Sequence, residues 1–211
     1  MPQIDFKAVA CRTRRQLWQN LRLRQQSPDQ CRWINYAATL LTQIQVTNRS
    51  DADMTTYDYG LANPREAGGM SGKQLLQAII DGRLPQAPIS KTLSFWLVEV
   101  GDGFAAFEGD PGPHLLNPMG TVHGGWALTL IDSAAACACH SMLPPGSGYT
   151  TIETKGNFSR SITKDIGRVR AEARVVSQGR HIISSQAQLL AQDGRVLAHG
   201  TSTIMVLAGG R

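Results

Sequence analysis

The chain has 211 residues, 42% of them hydrophobic and 18% charged, so a globular protein with room for one full core is the default. No run of eighteen apolar residues occurs, so no helix is expected to span a membrane. The net charge of +5 does not point to nucleic acid, because it sits at one end. Residues 1–53 carry Lys7, Arg12, Arg14, Arg15, Arg22, Arg24, Arg32 and Arg49 against four Asp, whereas the rest of the chain holds thirteen basic against twelve acidic residues.

Residues 1–53 show neither a sustained helical period nor alternation, apart from a short apolar patch at 37–44. They read as an extension, disordered or from a misassigned start, ahead of a domain at 54–207. An Arg-rich organelle presequence and a folded accessory helix are the other two readings. Ser71-Gly-Lys-Gln74 is a capping box, and Leu75, Leu76, Ile79 and Ile80 after it share one helical face, closed by Gly82. Pro85 and Pro88 mark a linker. Residues 92–100 are β-rich, Gly101-Asp-Gly103 makes a turn, and 104–108 is a second strand. Residues 111–120 form a loop with three prolines. Residues 122–141 read as one alanine-rich helix of about five turns, stopped by Pro144-Pro-Gly146.

The last third is strands. Residues 149–158 form one. In 168–175 the even positions are Arg168, Arg170, Glu172 and Arg174 and the odd ones Val169, Ala171, Ala173 and Val175, the pattern of a half-buried antiparallel strand. Residues 181–192 and 195–207 flank Asp193-Gly194, a hairpin turn. One long helix against an antiparallel sheet is an α+β layer fold. Cys11, Cys31, Cys137 and Cys139 make no disulfide framework, so the expected protein is cytoplasmic with reduced thiols.

Asp132 is the only charged residue between Asp110 and Glu153. A carboxylate among apolar neighbours is costly unless something pairs with it or uses it. Asn117-Pro-Met-Gly-Thr-Val-His-Gly-Gly125 precedes it. Together these supply an amide, a helix N-terminus with bare N–H groups, and an acid. Such a set can hydrolyse an activated acyl group, because a carbonyl under attack becomes an oxyanion that preorganised donors stabilise. Gly124 and Gly125 let a substrate reach that backbone. Each residue also has a plainer reading: Asp132 as a paired structural acid, His123 as a loop-orienting residue, Gly124 and Gly125 as close packing, and Asn117 as a turn residue. Two other chemistries fail. No Gly-x-Ser-x-Gly supports a serine esterase. Cys137 and Cys139 point about 200° apart on a helix, so with His140 they cannot hold one metal.

Asn117-x-x-Gly120-x-x-His-Gly-Gly125 followed by Asp132 resembles the hotdog-fold acyl-CoA thioesterases of the phenylacetate-degradation (PaaI-like) type, and the similarity runs from about Met54 to Leu207. The resemblance implies a sheet wrapped around the long helix, a homodimer or homotetramer, and acyl-CoA as substrate. Coenzyme A would be part of the substrate, with no separate cofactor and no metal. It implies that the Gly124 N–H polarises the thioester carbonyl and that Asp132 is general base or nucleophile. It further implies that Asn117 positions the acyl group or the water. A hydroxyl on the following strand assists, Thr151 by alignment and Thr150 as the alternative. His123 orients the loop, Gly125 lets the substrate approach, and Arg160 is the best candidate for coenzyme A phosphates, ahead of Arg168 and Arg180. Leu115, Leu116, Trp126 and Leu130 are expected to wall the acyl pocket. A silent acyl-CoA sensor of the same fold is the rival reading, and a hydratase the third.

Overall fold

The computed structural model describes residues 57–207; the extension at 1–53 and the boundary at 54 lie outside them. Asn63 caps the one-turn helix α1 (Pro64–Ala67). Ser71 caps α2 (Gly72–Ile80): the Gln74 N–H donates to Ser71 Oγ at 3.3 Å, and the Ser71 N–H donates to Gln74 Oε1 at 2.9 Å. This is the reciprocal pairing read from the sequence. Leu76 is buried, and Ile79 and Ile80 pack against the core.

The expected linker near Pro85 and Pro88 is corrected in part. Pro88 opens a helix, α3 (Pro88–Leu93), at a position where its missing N–H would have no partner anyway. Ser94 ends α3 with φ 54°, the left-handed region. Just before α3, the buried Gln86 stands in for a strand neighbour: its side-chain amide bonds both the C=O (3.2 Å) and the N–H (3.1 Å) of Leu97.

Leu97 lies in β1 (Phe95–Gly101), which turns through Gly103 (φ 64°) into β2 (Phe104–Gly109). The proline loop contains a 3-10 turn at Pro113–Leu115. The long helix α4 spans Gly124–His140. It starts two residues later than the sequence suggests, because His123 is its N-cap rather than its second residue. Four strands follow: β3 (Gly148–Phe158), β4 (Val169–Gln178), β5 (Ile182–Leu190) and β6 (Val196–Leu207). The sheet order is β1-β2-β4-β5-β6-β3, with every pair antiparallel.

α4 lies on one face of this sheet. Ala127, Leu130, Ile131, Ala134, Ala135 and Ala138 are all fully buried, and Leu130 and Ile131 each contribute about 1.5–3 kcal/mol by leaving water. The alanines let the sheet come close. At Gly200 of β6 a Cβ would lie 2.3 Å from the Lys155 carbonyl oxygen and 3.0 Å from Ile131 Cγ2. β4 alternates as read, with Val169, Ala171 and Ala173 buried towards α4. The outward Arg170 pairs with Glu99, Glu108 and Glu172.

Among the described residues β3 is an edge strand that pairs only with β6. Its register with β6 shifts between Thr151 and Glu153, so Ile152 is an extra residue, a bulge, and is 53% exposed. A bulge flips which residues face the helix on either side of it.

Candidate active site

The approach to α4 is built by Asn117. Its Oδ1 accepts from the N–H groups of Met119 (2.9 Å) and Thr121 (3.2 Å), and its Nδ2 donates to Thr121 Oγ1 at 2.8 Å. Two backbone bonds close the same loop, Asn117 N–H to the Thr121 carbonyl (2.7 Å) and Gly120 N–H to the Asn117 carbonyl (3.0 Å). An Asn side chain bonding its own following backbone is a standard turn former. In one chain, then, Asn117 shapes the loop, with one Nδ2 proton left over for a ligand.

His123 takes the helix start. Its Nδ1 accepts from the Gly125 N–H at 2.9 Å, which leaves Nε2 as the nitrogen turned away from the helix start. The Trp126 N–H goes to the His123 carbonyl at 3.0 Å. That leaves the Gly124 N–H as the first-turn donor with no hydrogen-bond partner among the described residues. A bare N–H at a helix N-terminus carries partial positive charge and suits a developing oxyanion.

α4 runs antiparallel to β3, and their facing side chains match by size. The Phe158 ring covers Gly124, where a Cβ would sit 3.2 Å from Cζ. Two strand residues back, Gly156 faces Leu128, and a Cβ there would be 2.9 Å from Leu128 Cδ1. Two further back, Thr154 Oγ1 donates to Asp132 Oδ1 at 2.6 Å. Four helix residues advance about 6 Å and two strand residues about 6.6 Å, so the two ladders stay in step.

The hydroxyl on Asp132 therefore belongs to Thr154, which the sequence reading did not single out. Thr151 and Thr150 instead lie beyond the bulge, opposite Ile204 and Met205 of β6. The Asp132 carboxylate is half-buried, and its Oδ2 takes no hydrogen bond from any described residue. Thr154 is itself 2.8 Å from Ser202 Oγ on β6.

The thiols beside this site are inert. Burial pushes Cys137 up to about 12, against a hydrogen bond from Tyr149 that lowers it. Burial also raises Cys139, and Tyr149 is raised by burial and by its neighbours Cys137 and Asp132. All three stay protonated near neutrality, so none is a nucleophile. No group of three or more His, Cys, Asp or Glu among the described residues could hold a metal ion.

Two clefts of about 320 Å³ each flank the start of α4. One is lined by Gly124, Ala127, Phe158, Arg160 and Ile162. The other is lined by Leu93, His114, Leu115, Leu116, Gly125 and Trp126. Three of the four residues expected to wall an acyl pocket, Leu115, Leu116 and Trp126, line this second cleft. Leu130 does not: it is fully buried in the core on the helix face towards the sheet.

A conserved protein of Pseudomonas aeruginosa has the same architecture, at 32% identity and a TM-score of 0.54 over 57% of this chain and 94% of that one. The profile described as "Thioesterase superfamily" matches residues 119–198, a span that holds Gly124, Asp132 and Thr154. The chain belongs to the thioesterase superfamily. Its fold is the hotdog fold. Two further similar structures are a thioesterase family protein of Silicibacter pomeroyi (29% identity, TM-score 0.54, 58% of this chain and 90% of that one) and a point variant of the phenylacetic acid degradation protein PaaI of Thermus thermophilus (26%, 0.52, 57% and 99%). No curated protein matches the chain.

In this thioesterase no described helix is long and apolar enough to cross a membrane. Of the arginines, Arg168 is committed elsewhere: its guanidinium forms a two-pronged bond to Asp110 (2.9 and 2.9 Å) and lies over the Trp96 ring. Arg160 lines the cleft beside Gly124 and makes no ion pair among the described residues.

Proposed function

We propose that this thioesterase hydrolyses acyl-CoA thioesters, in the cytoplasm, at sites shared between the two subunits of a homodimer, with a homotetramer as a pair of such dimers. The observation that carries the reading is the state of two groups. Asp132 has one oxygen held by Thr154 and the other open, and the Gly124 N–H has no partner among the described residues.

In this scheme the thioester carbonyl oxygen accepts from the Gly124 N–H. A water bound at Asp132 Oδ2 attacks the carbonyl carbon while the carboxylate takes its proton. The oxyanion then collapses, the carbon–sulfur bond breaks, and the sulfur takes the proton back from Asp132. The products are a free acid and coenzyme A thiol. The N–H donor supplies about 2.7–4 kcal/mol of the stabilisation, and the scheme assigns no step to a metal or separate cofactor. The cleft walled by Leu115, Leu116 and Trp126 takes the acyl group, and Arg160 beside the other cleft meets the coenzyme A phosphates.

The sharing follows from length. Gly124 and Asp132 are eight residues apart, roughly 12 Å along the helix at 1.5 Å per residue, whereas reacting groups must come within about 3–3.5 Å. A two-fold axis that sets two copies of α4 antiparallel brings Gly124 of one subunit to Asp132 of the other, and makes two equivalent sites.

Thiol release from a panel of acyl-CoA compounds tests the activity. Asp132→Asn keeps the shape of the side chain and should cut turnover by roughly a hundredfold or more; more than half of wild-type turnover on every acyl group would remove Asp132 from the chemistry. Mixing Asp132→Asn with Gly124→Ala subunits after dissociation should then restore activity, because one site of each mixed dimer has both intact residues. Proven subunit exchange without recovery would put the site within one chain.

A further inference from the structure

The end of α3 carries the one non-glycine residue with a positive φ among the described residues, Ser94, at φ 54° and ψ 52°. Glycine takes this left-handed backbone freely and is the usual residue for it at a helix C-terminus. A serine is strained there, and observed strain is a reason to ask what the side chain does. Its hydroxyl has one partner among the described residues: Ser94 Oγ lies 3.1 Å from His114 Nε2. His114 is exposed, so this bond rather than packing fixes where its ring points.

His114 lines the cleft assigned above to the acyl group. It sits in the 3-10 turn Pro113–Leu115, on a loop that Ser94 also holds through its backbone. There the Asp110 N–H donates to the Ser94 carbonyl at 2.9 Å. The preceding carbonyl, of Leu93, accepts from the Trp126 indole N–H at 2.7 Å. Two adjacent residues at the end of α3 thus hold two of the cleft's walls, Trp126 from α4 and His114 from the loop. The other side chains of the cleft are held differently. Leu93, Leu115, Leu116 and Trp126 are tied into the core, and His123 and Thr129 bond to Gly125. His114 is the wall side chain whose place depends on Ser94 alone.

We propose that His114, latched by Ser94, is a specificity-determining residue that limits this cleft to compact acyl groups, and that releasing the latch admits longer chains. The inference rests on that cleft taking the acyl group. While the hydroxyl holds it, the imidazole stays in the wall. Without the bond, the ring of an exposed residue turns to solvent and the space it held opens to the substrate. The cleft, at about 320 Å³, is near the lower end of the roughly 300–1,000 Å³ usual for ligand sites, so the volume of one ring changes what fits.

The test uses the full chain and compares butyryl-coenzyme A with octanoyl-coenzyme A. Each methylene newly taken out of water is worth about fourfold in binding. His114→Ala makes room for about two of them, so the octanoyl-to-butyryl ratio of kcat/KM should rise by roughly tenfold or more. Ser94→Gly suits the left-handed backbone, so it removes the hydroxyl without straining the fold. It frees the ring without deleting it, and should raise the ratio by about threefold. His114→Gln reaches Ser94 from the same place and should return the ratio to within about threefold of wild type. The same ratios are read without turnover from the Kd of S-butyl- and S-octyl-coenzyme A, thioethers with no carbonyl to attack. Ratios within about twofold of wild type in His114→Ala would overturn the gate, and so would failure of both thioethers to bind. A rise in His114→Ala that Ser94→Gly does not share would overturn the latch. A wild-type protein that releases no thiol, yet whose thioether ratios move as expected, would refute hydrolysis and keep the gate.

Discussion

Gly124→Ala separates the chemistry of the helix start from its stability, because the two should change in opposite directions. A Cβ on residue 124 would lie 3.2, 3.4 and 3.5 Å from Cζ, Cε2 and Cε1 of Phe158. The tightest of these needs a shift of a few tenths of an ångström, and the ring is 54% exposed, so it can swing aside. The fold is therefore not strained. Replacing glycine by alanine in a helix gains up to about 1 kcal/mol, less in the first turn, so the melting temperature should hold or rise slightly. The methyl would occupy the cleft that Gly124 shares with Phe158, where a thioester must come to meet the N–H. A carbon there keeps other heavy atoms at about 3.5–4 Å, while a donor must sit about 2.7–3.1 Å from the oxyanion. A displacement near 1 Å costs about a hundredfold. Thermal melts and thiol-release kinetics on the same preparation read both effects. Turnover within about twofold of wild type would refute the placement of the carbonyl at Gly124.

Gly200→Ala is the converse case, a stability defect in the packing of β6 against β3 and α4. Its Cβ would meet the Lys155 carbonyl oxygen at 2.3 Å and Ile131 at 3.0 Å; backbone cannot step aside, so urea denaturation should show a loss of about 1–3 kcal/mol or more. A shortened chain starting at Met54 should keep turnover and melting temperature, on the strength of the charge segregation at residues 1–53. Insoluble or inactive protein from that start would make the extension part of the domain.

The elements were legible wherever a local signal set them. Ser71 and Gln74 announced the start of α2, and alternation from Val169 fixed the buried face of β4. The Asp-Gly pair before Arg195 gave the last hairpin, and there the Arg195 N–H indeed donates to Asp193 Oδ1 at 3.1 Å. What sequence could not carry was pairing set by distant packing. The stretch at 85–88 looked like a linker because Pro88 breaks patterns, yet a proline is compatible with the first turn of a helix. Leu130 looked like a pocket wall because it is apolar and near the motif, but it sits one turn beyond Trp126 on the same helix face, fully buried in the core. Alignment on the aromatic Phe158 points to Thr151. The signal for Thr154 was nevertheless present in two periods taken together. Gly124 and Phe158 are complementary in size, so that pair sets the register of strand against helix. Stepping four along the helix and two back along the strand gives Leu128 against Gly156, again large against small, and then Asp132 against Thr154, polar against polar. Each step is consistent only if the strand stays regular down to Thr154, and it does, since the bulge at Ile152 comes after that point in this direction. Beyond it the parity flips and brings Tyr149 to the helix side, where its ring meets His140 at 4.8 Å. The same flip sets Thr151, two residues from Tyr149, on the helix side as well, but one step further along the ladder, so within the chain the hydroxyl bonded to Asp132 is that of Thr154.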